Sequence, residues 1–214
     1  MDIKLYYAPT TCALAPWIML TEVGAEFKTV AINLRKSQQY TPEYLAINPK
    51  HKVPLLTVDG DPITENAAIH LWIHRNFPDS GAMPSDARGE IEAVSLLAWC
   101  ASGIHSYLSR INNPAKVCKT EGSADSVVAH AREPIEECFA MANARLEGRD
   151  WLMDVFRAPD SYFYWACRRA TQFDIPLEPF ANVAAHFERM QTRASVQKLL
   201  AFEKEVMAGF AAAA

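Results

Sequence analysis

The order of secondary-structure patterns in the first 77 residues limits the fold of this chain more than any other feature. Residues 3–7 are short, β-branched and aromatic, which predicts a strand. Apolar residues at helical spacing follow, and Gly24 predicts where that helix ends. The later predicted elements are a strand at 27–33, a helix opening at Thr41-Pro42, strands at 55–58 and from Pro62 joined by the hairpin dipeptide Asp59-Gly60, and a helix at 65–77.

The pattern changes after a linker rich in proline, serine and aspartate. Beyond it, apolar residues recur only at helical spacing. The predicted helices cover 91–108, 127–146 with a kink at Pro134, 162–173, 180–190 and 196–210, and we expect a frayed tail at 211–214. The two patterns predict an α/β part followed by an all-α part: a thioredoxin-like domain at 1–78, a linker at 79–88 and a helical bundle domain at 89–214.

Charge and composition argue against several classes of protein. The net charge of −4 does not favour a nucleic-acid surface. The longest stretch without Asp, Glu, Lys or Arg, residues 93–109, contains serines and a histidine, so we expect a buried helix and no membrane span. No secretory signal is recognisable at the start. The five cysteines are odd in number and widely spaced, which is typical of reduced thiols in a cytoplasm and does not indicate a metal site.

Cys12 lies where the first predicted strand gives way to the first helix. Pro9 breaks the strand, and Thr10 and Thr11 are candidate helix caps. Unpaired amides and the helix dipole at that place favour a thiolate. No dithiol pair is present in this turn, because the residue three positions on is Ala15. A reactive Cys12 therefore needs a thiol brought from outside; the alternative is a buried packing residue.

Three motifs lie in the first part of the chain, at residues 4–14, 48–55 and 63–69, and each resembles a segment of cytosolic glutathione transferases. Residues 4–14, Lys-Leu-Tyr-Tyr-Ala-Pro-Thr-Thr-Cys-Ala-Leu, resemble the opening of the bacterial beta class, which has a cysteine at this place; residues 48–55 resemble the Asn-Pro-x-x-x-Val-Pro loop, and residues 63–69 the Leu-Thr-Glu-Ser-x-Ala-Ile segment. The motifs occur in order and at compatible spacing. The resemblance implies the glutathione transferase fold, a homodimer, a glutathione site in the first part and an electrophile pocket shaped by the second.

The residues give the implied glutathione site a physical basis. An X-Pro bond adopts the cis form at little cost, so Val53-Pro54 can present the backbone of Val53 to a bound peptide as to an added strand. The helix start at Glu65-Asn66 suits the γ-glutamyl carboxylate, and the Glu65 side chain suits the ammonium group. The other candidate glutathione-binding residues are His51, Lys52 and, for the glycyl carboxylate, either Arg35 or Lys36.

The candidate catalytic residues are Cys12, Thr11, Tyr7 and His105, with Tyr6 and Thr10 as further candidate hydrogen-bond donors to the glutathione sulfur. Cys12 would form a mixed disulfide with glutathione or lie beside its sulfur. The beta class has a histidine near His105 that helps to polarise the thiol; the alternative is a packed, hydrogen-bonded histidine.

Several residues depart from the beta-class pattern. Ala13 and Asn66 each stand where serine is usual, and Ser106 stands where lysine is usual. Ala98 takes the place of an asparagine. The usual Ser/Thr-x-x-Asp capping box is replaced by Arg157-Ala158-Pro159-Asp160. The missing cap hydroxyl costs on the order of 1 kcal/mol. These differences concern the catalytic apparatus more than the fold.

The predicted function is that of a bacterial detoxification enzyme: a glutathione transferase whose glutathione thiolate attacks a small hydrophobic electrophile. One alternative keeps the fold but uses Cys12 for glutathione-dependent disulfide reduction, isomerisation or dehalogenation. Another is a non-catalytic binding or regulatory protein. Five aromatic residues are candidates either for the electrophile pocket or for plain core: Trp99, Tyr107, Tyr162, Trp165 and Phe210. Arg168-Arg169 is either a solvated face or a subunit contact.

Overall fold

The computed structural model describes residues 1–212, beginning with a four-stranded sheet. The strands are β1 (Ile3–Tyr7), β2 (Lys28–Ala31), β3 (Leu55–Val58) and β4 (Asp61–Thr64), in the spatial order β2-β1-β3-β4. β1 pairs parallel with β2 and antiparallel with β3, and β3 pairs antiparallel with β4. The hairpin at Asp59-Gly60 is as predicted, and both residues have the positive φ that such a turn requires.

Three helices accompany the sheet: α1 (Leu14–Glu22), α2 (Pro42–Ile47) and α3 (Asn66–Asn76). The Thr41 side chain caps α2, as predicted, by accepting a hydrogen bond from the amide of Tyr44. α1 is apolar on nearly every face, and residues 14–20 are all buried. Such a helix must be covered on all sides. It packs against α3 and against two helices of the second part, α7 (Ala158–Thr171) and α9 (Ala194–Ala212).

All the regular secondary structure of the second part is helical, which confirms the predicted all-α class. Its other helices are α4 (Ala87–Trp99), α5 (Ser106–Asn112), α6 (Ala124–Arg145) and α8 (Ala181–Gln191). α6 continues through Pro134. Ala211 and Ala212 continue α9, so the frayed tail predicted there is wrong for these two residues, and residues 213 and 214 lie outside the described part.

A π-helical turn, Cys100–His105, joins α4 to α5 where periodicity predicted one continuous helix. Each π turn holds an extra residue, so it changes the direction in which the following side chains point. His105, the last residue of the turn, therefore has a position that a regular 3.6-residue period does not predict.

Asp160 is the acidic residue of a capping box in which the hydroxyl residue is missing. Its carboxylate is fully buried and accepts hydrogen bonds from the amides of Arg157 and Leu152, both at 2.9 Å. It also lies 2.9 Å from Nε2 of the equally buried His186. The start of α7 is therefore held by one carboxylate that joins three segments of the chain.

Candidate functional site

The turn that carries Cys12 is shaped by Thr11. The Thr11 hydroxyl donates to the carbonyl of Ala8 at 2.7 Å and accepts from the amide of Ala13 at 3.3 Å. α1 begins only at Leu14, and its N-cap is Ala13, which has no side-chain capping bond. The prediction that Thr10 and Thr11 cap the helix is therefore wrong in detail, because Thr11 closes the turn before it.

The Cys12 thiol is buried under the neighbouring loop. Cys12 is 6% exposed, and its Sγ donates to the Val53 carbonyl at 3.7 Å. Burial raises the pKa of the thiol to about 12, and hydrogen bonding from the Asn66 side chain offsets only part of this effect. The predicted thiolate is therefore wrong for this structure, since the loss of solvation outweighs the amides at the helix start.

The predicted cis bond at Val53-Pro54 is confirmed. The loop before it is held by Asn48, which is buried. Its Nδ2 donates to the Lys52 carbonyl at 2.8 Å and its Oδ1 accepts from the Lys50 amide at 3.1 Å. The Tyr44 hydroxyl donates to the same Lys52 carbonyl at 2.6 Å. The first residue of the loop motif therefore has a structural role that sequence reasoning did not assign to it.

Glu65 lies immediately before α3 in a strained backbone conformation. Its φ is +74°, an unusual value for a residue with a side chain. Its exposed carboxylate is 2.7 Å from Nζ of Lys50, which also donates to the Thr64 hydroxyl at 2.9 Å. Sequence reasoning missed Lys50, although it belongs to the loop motif. Asn66 is the first residue of α3, so the first amides of that helix have no intrahelical acceptor.

The Asn66 side chain lies beneath the surface rather than beside Glu65. Asn66 is 6% exposed, and its Oδ1 has no hydrogen-bond partner within residues 1–212. Hydrogen bonding from this side chain acts on both the Cys12 thiol and the Tyr162 hydroxyl. Asn66 therefore lies close to both the thiol of the first part and a tyrosine of α7.

His105 approaches the same place from the helical part. Its Nδ1 is 2.8 Å from the Tyr162 hydroxyl, and its ring centroid is 4.3 Å from that of Trp165. Burial lowers the pKa of His105 to about 4, and the charges of Lys52 and Glu65 act on it in opposite directions. His105 is thus a neutral, hydrogen-bonded histidine within electrostatic range of Lys52 and Glu65, two of the candidate glutathione-binding residues.

Tyr7 does not face that site. It is fully buried, and its hydroxyl donates at 2.7 Å to Oε1 of Glu203 on α9. Burial also raises the pKa of Tyr7 well above its usual value. A phenol has one proton to donate, so the predicted role of Tyr7 as a donor to a ligand sulfur is wrong. Tyr6 packs edge-on against Tyr44, with ring centroids 5.8 Å apart.

Glu203 and Arg168, from two helices of the second part, stabilise the turn that carries Cys12. Sequence reasoning missed this arrangement. Glu203 accepts from the Thr10 amide at 2.7 Å and is ion-paired with Arg168. The Thr10 carbonyl accepts from the Trp165 indole at 3.1 Å. Arg168 thus does not lie on a solvated face, because its side chain is mostly buried and its partner is a buried carboxylate.

The remaining candidates lie at the surface or in packing contacts of their own. His51 is exposed, with φ +47° and its ring 4.7 Å from that of Tyr40. Arg35 and Lys36 share one exposed turn, Leu34–Lys36, which the Asn33 side chain caps. Of the aromatic candidates, Tyr162 and Trp165 are buried beside His105, Trp99 stacks on Phe163, Tyr107 carries Arg110 over its ring, and Phe210 is partly exposed.

Two open grooves on the surface lie away from the candidate glutathione site. One open groove of about 520 Å³ lies between α1 and α9, with Trp17, Phe27 and Phe202 among its walls. Another, of about 540 Å³, lies between the end of α7 and α8. Neither contains Cys12 or Val53. Within residues 1–212, no cluster of metal-ligating side chains is present, and no helix is long and apolar enough to cross a membrane.

Comparisons with known proteins agree with this geometry. The family model "Glutathione S-transferase, N-terminal domain" matches residues 1–75. Glutathione S-transferase GstA of Escherichia coli O157:H7 is 28% identical over 94% of this chain and 98% of its own length. A solved sphingomonad glutathione S-transferase complexed with glutathione is 30% identical over 94% and 98% of the two chains, with a TM-score of 0.82.

A solved bacterial beta-class glutathione S-transferase from Sphingomonas chungbukensis is 28% identical over the same shares of the two chains, again with a TM-score of 0.82. Similarity of this extent covers both the sheet and the helical part. The chain therefore belongs to the glutathione S-transferase family, and within it is similar to the bacterial beta class.

Proposed function

We propose that glutathione binds across the loop at Val53 and the start of α3, with its sulfur above the Cys12 turn. The observation that carries the proposal is the convergence of Cys12, Val53 and Asn66 at one point, with the strained Glu65 turn beside it. Family membership makes the chain a glutathione transferase. The thiolate of glutathione attacks an electrophilic atom, a new bond to sulfur forms, and the leaving group departs with its electron pair.

Each charged group of glutathione has a candidate partner here. Its peptide backbone pairs with the backbone of Val53. The γ-glutamyl carboxylate meets the first amides of α3, and its ammonium group shares the Glu65 carboxylate with Lys50. The glycyl carboxylate meets the basic turn at Arg35 and Lys36, with His51 and Lys52 as further candidates. The co-substrate is a small hydrophobic electrophile.

Hydrogen bonds that are already made support a shorter set of candidate donors to the glutathione sulfur. The hydroxyls of Tyr7 and Thr11 already donate to Glu203 and to Ala8. The Cys12 thiol likewise donates to the Val53 carbonyl, so His105 and the hydroxyls of Tyr6 and Thr10 are the remaining candidates. The rate then depends on stabilising the glutathione thiolate and on holding the two reactants together.

We also propose a cytoplasmic homodimer with domain bounds at 1–78, 79–88 and 89–214. The dimer is supported by the apolar side chain of Ile91 on α4, which is 70% exposed in the single chain. Sedimentation velocity of the purified protein tests it, and a single species of monomer mass at micromolar concentration would contradict it.

Glu65→Gln is expected to weaken glutathione binding about tenfold. The substitution removes the charge that would pair with the ammonium group but keeps the side-chain shape, and a charge-assisted hydrogen bond contributes about 1.5–3 kcal/mol. Isothermal titration calorimetry measures the Kd. Glu26→Gln, at an exposed glutamate between α1 and β2, is the matched control. An unchanged Kd in Glu65→Gln would contradict the placement of glutathione.

Cys12→Ala is expected to retain aryl-halide conjugation to within about tenfold. A thiol with a pKa near 12 is almost entirely neutral at pH 7 and is therefore a poor nucleophile. Conjugation by glutathione itself does not need Cys12 to react. Disulfide reduction does need it, so loss of disulfide reductase activity in Cys12→Ala with conjugation intact would favour the reductase alternative. Complete loss of conjugation would contradict the prediction.

Mass spectrometry after incubation with oxidised glutathione is the second test of Cys12, because it detects a mixed disulfide between the thiol and glutathione. Hydrogen bonding from Ser123 and Thr120 lowers the pKa of the partly exposed Cys118 to about 7, so this thiol is expected to react first. Measurements in a Cys118→Ala background remove that signal. Rapid formation of a mixed disulfide in this background would show that Cys12 is reactive.

A further inference from the structure

The hydrogen bond between His105 and Tyr162 leaves the location of its proton to be determined. The two atoms, Nδ1 of His105 and the hydroxyl oxygen of Tyr162, are 2.8 Å apart. A phenol has one proton, and a neutral imidazole carries its proton on one of its two nitrogens. The proton in this bond therefore belongs either to Tyr162 or to His105, and the choice decides which atom of His105 can donate elsewhere.

Asn66 supplies the observation that decides this question. Its Oδ1 is buried and has no partner in residues 1–212, so this oxygen does not receive the Tyr162 proton. Hydrogen bonding from the Asn66 side chain lowers the pKa of Tyr162, although burial raises it more.

Within residues 1–212, the hydrogen-bond partner of the Tyr162 hydroxyl is Nδ1 of His105, so the phenol proton is directed to that nitrogen. Tyr162 is 2% exposed, so water does not compete for this bond. The T-shaped contact of His105 with Trp165, at 4.3 Å between ring centroids, holds the plane of the imidazole.

We propose that Tyr162 is a positioning residue that keeps His105 in its neutral Nε2–H tautomer, with Nδ1 as an acceptor and Nε2–H as a hydrogen-bond donor toward the cleft. His105 then acts as a fixed donor to an anion and does not act as a base. The identity of that anion, the glutathione thiolate, rests on the proposed function; the tautomer itself does not.

Long-range ¹H–¹⁵N correlation spectra of protein labelled at histidine test the tautomer directly. His105→Gln assigns the signals of His105. We expect Nε2 protonated and Nδ1 unprotonated in the wild type, and a mixture of the two tautomers in Tyr162→Phe. The matched control is Tyr164→Phe, a buried α7 tyrosine whose hydroxyl donates to Gln191 at 2.7 Å, and it should retain the wild-type tautomer.

Kinetics supply the functional readout. Tyr162→Phe is expected to lower kcat about three- to tenfold while changing the Kd of glutathione less than twofold, because the lost bond affects the sulfur and not the charged ends of the tripeptide. A protonated Nδ1 in the wild type, or an unchanged tautomer in Tyr162→Phe, would overturn the proposal. A wild type that shows the Nε2–H tautomer but binds no glutathione would overturn the proposed function and leave the role of Tyr162 standing.

Discussion

Glu203→Gln is expected to destabilise the protein by about 3–5 kcal/mol. Glu203 is 3% exposed, and Arg168 is its ion-pair partner. Removing one member of a buried pair leaves the other charge without compensation, which is far more costly than losing an exposed pair. Glutamine retains an acceptor for Tyr7 and for the Thr10 amide, so the loss measured by urea denaturation reports mainly on the uncompensated guanidinium.

Two further variants make the Glu203 prediction specific. In Glu203→Gln/Arg168→Met the uncompensated charge is gone, and most of the lost stability should return. Glu205→Ala, an exposed glutamate on the same helix, should change the free energy of unfolding by less than about 0.5 kcal/mol. If the double variant were less stable than Glu203→Gln alone, the ion pair would not be the cause.

The same pair predicts how stability depends on pH. Burial alone would raise the pKa of Glu203, but hydrogen bonds from Arg168, Thr10 and Tyr7, together with the charge of Arg168, lower it. The ionised carboxylate therefore adds stability above its unfolded pKa of about 4.3, and this contribution is lost as the pH falls through the folded pKa. The difference between wild type and Glu203→Gln should accordingly shrink below about pH 4.

Asp160→Ala is expected to cost about 3 kcal/mol. The carboxylate is fully buried and is the acceptor for the amides of Arg157 and Leu152 as well as the partner of His186. Its removal leaves buried donors unpaired and takes away the cap of α7, which packs against the buried helix α1. Denaturation by urea measures the loss.

Asp154→Ala is the matched control for Asp160. Its carboxylate is 65% exposed and pairs with Arg157 at 3.1 Å, so its removal should cost less than about 1 kcal/mol. Equal effects of the two substitutions would show that the start of α7 does not depend on the buried network.

Local chemistry predicted much of the fold. β1 and β3 have the predicted bounds, the Asp59-Gly60 hairpin and the Thr41 cap are present, and the change from a mixed pattern to helices occurs as expected. The π-helical turn was missed because no local rule places an extra residue there. β2 is shorter than predicted because the Asn33 side chain caps a separate turn, Leu34–Lys36.

Side-chain roles were harder to predict than the elements that carry them. Tyr7 lies on a correctly predicted strand, yet its hydroxyl meets a carboxylate 196 residues away. The position of Cys12 before α1 was predicted, but the pKa of its thiol was expected to fall and instead is raised by burial. Lys50 belongs to the recognised loop motif, but nothing in that motif indicates that Lys50 pairs with Glu65.

The amino-acid sequence alone determined the order of strands and helices, the family and the position of the loop and helix start proposed to bind glutathione, because turns, caps and short motifs depend on neighbouring residues. The tertiary structure decided which side chains face the cleft, which are ionised and which are already committed to other partners. Those properties depend on solvation and on contacts between distant segments, since a group loses water only when every element around it has packed.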